Sequence, residues 1–238
     1  MKVAILGYGK MGKTIEQILL ERGHEVVLKV NNNNLEELTI ANIKKADVAI
    51  EFSVPTSAVA NYNICFDAGV PVVSGTTGWL DQLADIKETI IEKNGTLFYA
   101  PNFSIGVNIF FKINGVLAKL MNNYPNYNVE MEEIHHLQKL DSPSGTAIKT
   151  ADVILKELQA KNDWKEGETA LENELLIKAK REEGVSGTHT VIYNSEEDVI
   201  ELKHIAHSRK GFALGSVLAA EWTVGRKGFL GMEDMLGF

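Results

Sequence analysis

The sequence of 238 residues contains a single cysteine, Cys65. One thiol cannot form an internal disulfide, so the composition gives no sign of an oxidising compartment. Basic residues are also sparse, because 24 Lys and Arg stand against 32 Asp and Glu and are scattered along the chain. A formal net charge of −8 without a basic cluster disfavours a partner with a phosphate backbone, and we expect no nucleic-acid binding.

Long apolar runs are missing as well. The short apolar stretch at the N-terminus is interrupted by Gly7, Gly9 and Lys10, well before it reaches the length of a signal peptide or a membrane span. No linker, repeat or low-complexity tract divides the chain. We therefore expect a cytoplasmic protein with no membrane partner, in which 45% hydrophobic residues fill one large core or two modest ones.

The first thirty residues have the pattern of a dinucleotide-binding unit. A buried strand is predicted at Lys2 to Leu6, a helix from Met11 to Arg22 and a second strand from Glu25 to Val30. A GxGxxG motif joins the first strand to the helix. Its glycines allow a tight turn, close approach of a pyrophosphate and packing of helix on strand. The motif places six residues at the cofactor: Gly7, Tyr8, Gly9, Lys10, Met11 and Gly12.

The second strand does not end in the acidic residue that usually holds the ribose 2′-hydroxyl. Asparagines occupy positions 31 to 34 instead. Because an Asn side chain can bond either a hydroxyl or a phosphate oxygen, Asn31 fits NADH and NADPH equally. Lys29 is the nearest cation, although a solvated strand residue is the simpler interpretation.

Strands and helices continue to alternate up to residue 99, which predicts a Rossmann-like, doubly wound parallel α/β sheet. Ligands of such sheets bind at the carboxyl ends of the strands. The segments that follow the strands are 53–56, 75–78 and 100–103. Gly75 to Gly78 offers two hydroxyls there, or is an ordinary loop with a helix cap. Asn102 to Ser104 also fits the capped start of a helix at 105–122.

After residue 104 the strict alternation ends, and the pattern favours a second, α+β domain for substrate binding and oligomerisation over residues 104–208. Strands are predicted at 177–181, 188–193 and 199–207, and a charged surface excursion at 161–174. The last helix, at about 210–224, is expected to return to the parallel sheet, both faces of which need covering. The dinucleotide-binding domain is then discontinuous, comprising 1–103 and 209–238.

The segment from Glu133 to Thr146 predicts a site for a small anion. Ser142 is expected to cap a helix and Pro143 to occupy its first position. The backbone N–H groups of the first turn then lack helical partners and attract a carboxylate or phosphate. The residues predicted to meet the anion are His135, His136, Lys139, Gly145 and Thr146.

Other interpretations of these histidines stay open. Neighbouring residues of a strand point to opposite faces, so at least one of His135 and His136 fits a surface or satisfied core position. No metal site is expected, because the pair lacks the i, i+4 spacing of a helical zinc site and Cys65 is distant in sequence.

Several motifs together resemble one enzyme family. The strongest is Glu-x-His-His-x-x-Lys-x-Asp-[Ala/Ser]-Pro-Ser-Gly-Thr-Ala, matched from Glu133 to Ala147. Further matches are Gly7 to Gly12, Gly75 to Gly78, Asn102 to Asn108, Gly187 to Thr190, His207-x-Arg209 and Gly228 to Asp234. Over nearly its whole length the chain resembles the 4-hydroxy-tetrahydrodipicolinate reductase (dihydrodipicolinate reductase) family of lysine and diaminopimelate biosynthesis.

The resemblance implies a role for each site residue. His135 would be the proton donor/acceptor and Lys139 the proton donor, while His136, Gly145 and Thr146 would hold the carboxylates of a small dicarboxylate substrate. NADH or NADPH would contact the Gly7 to Gly12 loop. Further implied cofactor contacts are Gly75, Thr76, Thr77, Tyr99, Ala100, Pro101, Asn102, Arg209 and Phe212. Family members are usually homotetramers built through the sheet of the second domain.

Two alternatives belong to other classes of protein. One is a different two-domain NAD(P)-dependent dehydrogenase, such as a semialdehyde enzyme, which would require a thiolate nucleophile, or an aspartate dehydrogenase. The other is a regulator that senses NAD(P) without turnover. Substitution of His135 or Lys139 separates the enzyme from the regulator, because only the enzyme depends on these side chains for its output.

Overall fold

A computed structural model describes residues 1–208 and 210–238. The chain divides into two compact units, Met1–Ile105 with Lys210–Phe238, and Gly106–Arg209. The strands are β1 (Lys2–Leu6), β2 (Glu25–Val30), β3 (Val48–Glu51), β4 (Val72–Ser74), β5 (Thr96–Tyr99), β6 (Asn128–His135), β7 (Asp163–Glu166), β8 (Glu174–Arg181), β9 (Thr188–Asn194), β10 (Val199–Ile205) and β11 (Gly228–Leu230). The helices are α1 (Lys10–Glu21), α2 (Ile40–Ile43), α3 (Pro55–Ala68), α4 (Leu83–Glu92), α5 (Ile105–Met121), α6 (Gly145–Glu157), α7 (Lys210–Thr223) and α8 (Met232–Leu236).

The first unit is built on a six-stranded sheet in the order β11-β5-β4-β3-β1-β2, and every strand pair in it is parallel. Side chains of β1 alternate between the two faces, as the pleat requires. Ala4 and Leu6 pack with α2, α3 and α4, whereas Val3 and Ile5 pack with α1 and α7. Helices therefore cover both faces of the sheet, which confirms the predicted doubly wound architecture.

The second unit contains a five-stranded mixed sheet in the order β10-β9-β6-β8-β7. Strand β6 is central, antiparallel to β9 and parallel to β8. Helices α5 and α6 pack on one face through apolar side chains that include Phe110, Ala118, Ala151 and Ile154. Among the described residues of this unit, no helix covers the opposite face. The predicted α+β character of this half of the chain is confirmed.

Two predictions about local structure are wrong. Helix α6 does not start at Ser142 and Pro143; its N-cap is Ser144, whose hydroxyl accepts a hydrogen bond from the Ala147 N–H. The stretch 161–174 is not only a surface excursion. It contains β7, which pairs with β8, and a buried Lys161 whose ammonium group donates to Asn128 and to the Glu172 carbonyl.

In the part of the chain that is described, no helix combines the length and the apolar character needed to cross a bilayer.

Candidate active site

The glycine-rich loop after β1 is shaped by its backbone. Gly7 adopts φ +95°, and a Cβ there would lie 2.0 Å from the Phe52 carbonyl oxygen. A Cβ at Gly12 would lie 2.6 Å from the Gly7 carbonyl oxygen. Gly9, which caps α1, has no protein atom within 4 Å of the place a Cβ would take. Two glycines therefore allow close backbone packing, and the third leaves open space at a helix N-terminus, where a pyrophosphate fits.

The predicted cofactor residues of the other loops lie at the same sheet edge, because parallel strands end together. Asn31 follows β2, Gly75 to Thr77 follow β4, and Tyr99 to Asn102 span the end of β5 and the residues after it. The Ala100 N–H donates to the Ser74 carbonyl at 3.2 Å, which holds the last two loops side by side. Phe212 lies in the first turn of α7, and Arg209 lies outside the described residues.

The asparagine loop after β2 uses its side-chain oxygens internally. Asn34 Oδ1 accepts from the Asn31 N–H, and Asn31 Oδ1 accepts from the Asn33 N–H, both at 2.8 Å. Lys29 points to Glu16, with its Nζ 3.1 Å from Oε1, and lies over the Tyr8 ring. No carboxylate of the loop is available for a ribose hydroxyl, because the loop contains only asparagines.

Glu51, which lies outside the predicted motifs, connects two of the loops at this sheet edge. It is fully buried at the end of β3, yet both carboxylate oxygens are bonded. Oε2 accepts from Ser74 Oγ at 2.6 Å, and Oε1 accepts from Thr76 Oγ1 at 3.1 Å and from the Ser53 hydroxyl. The proton of the Thr76 hydroxyl is therefore donated within the protein. One carboxylate ties together the loops after β3 and β4.

The predicted anion site is built from β6 and the start of α6. Gly145 and Thr146 are the first two helical residues, so their N–H groups have no helical acceptor. A Cβ at Gly145 would meet no protein atom within 4 Å. Although the cap is Ser144 instead of Ser142, Gly145 and Thr146 still lie in the first turn of the helix, where there is space for an anionic group.

His135 lies at the end of β6 and is 7% exposed. Its Nδ1 is 3.4 Å from Oε2 of the fully buried Glu133, and its ring packs edge-on against His189 with centroids 5.1 Å apart. Burial lowers the pKa of His135 to about 4, and Glu133 opposes this shift. Burial would raise the pKa of Glu133, but interactions with His189 and Ser144 outweigh it and hold the value at about 2. At neutral pH the pair is a carboxylate beside a neutral imidazole.

Lys139 and His136 belong to the same segment. Lys139 Nζ donates to both carboxylate oxygens of Asp141 at 2.9 Å, and the Lys139 N–H donates to the His136 carbonyl. The side-chain hydrogen bonds from Lys139 Nζ hold the pKa of Asp141 below its usual range. Nδ1 of the half-buried His136 is shielded from solvent and has no hydrogen-bond partner among the described residues. A polar ligand would supply that partner.

Glu133, His135 and His189 also place one donor atom each within 4.8 Å of one another, a spacing that a metal ion accepts. Both oxygens of Glu133 already accept hydrogen bonds from Ser144, and Arg181 Nη1 is 3.4 Å from Oε1. The charge and lone pairs of the carboxylate are thus satisfied by protein groups. A hydrogen-bonded network accounts for the cluster without an ion.

Cys65 does not fit the thiolate nucleophile that a semialdehyde enzyme would need. It is fully buried in α3, and this burial raises the pKa of its thiol. A thiol with a raised pKa inside an apolar core is a poor nucleophile.

Family models cover almost the whole chain. The model for "Dihydrodipicolinate reductase, N-terminus" matches residues 1–103, and the model for "Dihydrodipicolinate reductase, C-terminus" matches residues 106–236. A solved structure of dihydrodipicolinate reductase from Paenisporosarcina sp. TG-14 with bound dipicolinate has a TM-score of 0.81 over 99% of both chains, at 24% identity. That structural likeness supports the fold.

Curated relatives agree with the family models. The 4-hydroxy-tetrahydrodipicolinate reductase of Christiangramia forsetii is 50% identical over 240 residues, which cover 99% of this chain and 98% of that protein. The protein of the same name from Methanococcoides burtonii is 40% identical over 215 residues, 88% of this chain and 81% of that protein. The chain therefore belongs to the dihydrodipicolinate reductase family.

Proposed function

We propose that this chain reduces 4-hydroxy-tetrahydrodipicolinate to tetrahydrodipicolinate with NADH or NADPH. The observation that carries the proposal is that Glu133 and Ser144 link His135 to the open start of α6 at Gly145, in a chain of this family. His136 and Lys139 lie in the segment that connects β6 to α6. A cyclic dicarboxylate is bound by cationic side chains and N–H donors of this kind. Its reduction also requires a proton donor next to the bound ring.

The cofactor is assigned to the loops of the first unit. The open space at Gly9 and the N-terminus of α1 suit a pyrophosphate, and the other loops at the same sheet edge line the rest of the dinucleotide. When bound, the nicotinamide supplies the hydride. The protein's part is to bind and orient it, and we assign that task to the predicted cofactor residues from Gly7 to Asn102 and to Arg209 and Phe212.

The substrate carboxylates are assigned to α6 and His136. The N–H groups of Gly145 and Thr146 point out of the helix start, where the helix dipole also favours negative charge. His136 offers a ring nitrogen that lacks a protein partner. These groups hold the substrate ring in place, and their contribution to the chemical step is to orient that ring.

The proton is assigned to Lys139 and His135. Loss of the 4-hydroxyl group as water gives the ring a conjugated C=C–C=N system. Hydride addition to that system leaves negative charge on the ring, which an adjacent ammonium group stabilises and then protonates. Lys139 is held by Asp141 in the loop that leads to α6. His135, neutral at pH 7 by virtue of its lowered pKa, is poised to accept and return a proton.

The reaction can be measured directly. Purified protein is mixed with the aldol-condensation product of pyruvate and aspartate semialdehyde, and oxidation of NADH and of NADPH is followed separately. We expect substrate-dependent oxidation of at least one cofactor. If neither is oxidised while both bind, the chain is a nucleotide-binding regulator and the proposed reaction is wrong.

We also propose a cytoplasmic homotetramer assembled through the sheet of the second unit. Val191 and Tyr193 of β9 face α5 and α6, so Ile192 and its neighbour Glu201 on β10 face the uncovered side. Ile134 and Ile205 lie on that same side, and Ile205 is exposed. Light scattering should give four times the chain mass of 26.3 kDa. A mass equal to one chain would contradict this assembly without affecting the proposed reaction.

A further inference from the structure

Glu133 is a carboxylate without solvent contact, and its surroundings explain how it is tolerated. It is 0% exposed and lies two residues before His135, so both side chains point to the same face of β6. Its Oε1 accepts from the Ser144 N–H at 3.0 Å, and its Oε2 accepts from the Ser144 hydroxyl. An unpaired buried carboxylate is costly, so these donors fix its position.

Ser144 passes this constraint on to helix α6. Its single hydroxyl proton is donated to Glu133, which leaves the oxygen to accept from the Ala147 N–H at 3.1 Å. The N-cap is therefore locked from both sides. Because Gly145 and Thr146 follow the cap directly, the direction of their free N–H groups depends on Glu133.

The second oxygen of Glu133 also faces two imidazoles. Oε2 lies 3.4 Å from His135 Nδ1 and 3.6 Å from His189 Nε2. The contact with His135 Nδ1 is electrostatic, because that atom makes no hydrogen bond among the described residues. His189 Nε2 is 3.2 Å from Ser144 Oγ, whose proton is already directed to Glu133, so His189 carries its proton on Nε2. Neutral His135 next to a carboxylate carries its proton on Nδ1, which leaves Nε2 as the free base.

We propose that Glu133 is a positioning residue that holds the tautomer of His135 and, through Ser144, the carboxylate-binding start of α6, so that one buried carboxylate fixes the acid–base group relative to the anion site. The inference rests on the proposed function, since it assigns His135 and α6 to the same substrate. Glu133 itself touches neither substrate nor cofactor.

The charges around His135 support this role. Four groups face it: Glu133 on its own strand, His189 on β9, Arg181 on β8 and Lys139 in the following loop. Glu133 is the one that favours a protonated His135; the other three disfavour it. Arg181 Nη1, 3.4 Å from Glu133 Oε1, balances the carboxylate from the other side. Loss of the carboxylate charge would remove the one of these four groups that favours a protonated His135.

The test compares Glu133→Gln with Glu132→Gln. Glu132 directly precedes Glu133 on β6, points to the opposite face and pairs with Lys180. Its substitution therefore removes the same charge from the same strand. For Glu133→Gln we expect kcat to fall about 10- to 100-fold, because general acid–base catalysis contributes roughly 100- to 10,000-fold in rate and only part of it would be lost. NADH binding should be unchanged. Nitrogen NMR shifts of the His135 ring at pH 7 should show loss of the Nδ1–H tautomer. Glu132→Gln should leave both readouts at wild-type values.

Two further variants test the same role of Glu133. Glu133→Asp keeps the charge and should restore the Nδ1–H tautomer, which also serves if Glu133→Gln does not fold. Ser144→Ala should raise the substrate KM more than it lowers kcat, because it releases the helix start. An unchanged His135 tautomer in Glu133→Gln overturns the inference. Because the tautomer is measured without substrate, this outcome is separate from a wild-type protein that shows no reductase activity.

Discussion

Gly187 lies so close to His135 that a Cβ atom at position 187 would stand 3.1 Å from Nε2 and 3.3 Å from Cδ2 of the imidazole. The absence of a side chain at this position therefore sets where the free ring nitrogen of His135 can lie. Gly187 directly precedes β9, which carries His189, so the loop and the strand together border the His135 ring.

Gly187→Ala should displace the His135 ring by a few tenths of an ångström. We expect kcat to fall by about 3- to 30-fold, since a 1 Å misplacement of a catalytic group costs about 100-fold. Steady-state kinetics measures the effect. Gly184→Ala is the control, because Gly184 lies in the same loop but its added Cβ would meet no atom within 4 Å. Equal losses in both variants would trace the effect to the loop backbone and not to His135.

Gly9→Ala should weaken cofactor binding without unfolding the protein. A Cβ at Gly9 meets no protein atom within 4 Å, so it intrudes only on the space assigned to the pyrophosphate. We expect the Kd for both cofactors to rise by about 10-fold or more and Tm to change by less than about 2 °C. Gly12→Ala should instead lower Tm, because its Cβ would lie 2.6 Å from the Gly7 carbonyl oxygen. Unchanged cofactor affinity in Gly9→Ala would contradict the placement of the pyrophosphate.

Asn31→Asp should shift the cofactor preference toward NADH. The new carboxylate keeps an oxygen for the Asn33 N–H, accepts from a ribose 2′-hydroxyl and repels a 2′-phosphate. The measured quantity is the ratio of kcat/KM for NADH and NADPH. Asn123→Asp adds the same charge at an exposed position of the second unit and should leave the ratio unchanged. No shift in Asn31→Asp means that the ribose does not bind at the end of β2.

Stability should fall as the pH drops from neutrality, in two windows. The pKa of His135 is about 4 in the folded chain and 6.5 as the ordinary value, so the unfolded state takes up the proton first and stability is lost between pH 6.5 and about 4. The pKa of Glu133 is about 2 against 4.5, so its contribution is full above pH 4.5 and is lost as the pH falls toward 2. Urea denaturation at a series of pH values measures both effects. His135→Asn should flatten the upper window and leave the lower one; an unaltered upper window would show that His135 is not the group responsible.

The parts of the fold that sequence predicted well are those encoded locally. β1 and β2 match their predicted bounds, and the turn at Gly7 follows from a strand, a glycine pattern and a helix within thirty residues. Strand β7 was missed because Asp163 to Glu166 is an edge strand with three charged residues. It pairs with residues 174 to 177 of β8, and the local pattern of apolar residues does not reveal such a contact.

The site shows the same limit. His135, His136 and Lys139 could be found because their residue types and spacing carry the chemistry. The helix cap was misplaced by two residues because Ser142 and Ser144 are equally good caps locally. Glu133, 11 residues away, decides between them by accepting the proton of Ser144. Glu51 and Arg181 were missed for the same reason, and His189 was matched in a motif but given no role, since each acts through a partner on another strand or loop.

Lys139 and the start of α6 are proposed to form the substrate half of a reductase site. The most direct measurement compares wild type, Lys139→Ala and Lys180→Ala for oxidation of NADH and NADPH with the condensation product of pyruvate and aspartate semialdehyde. Cofactor binding is measured on the same samples. We predict that wild type and Lys180→Ala turn over, and that Lys139→Ala binds cofactor normally but loses about 100-fold or more in kcat. Wild-type turnover that survives in Lys139→Ala would contradict the account.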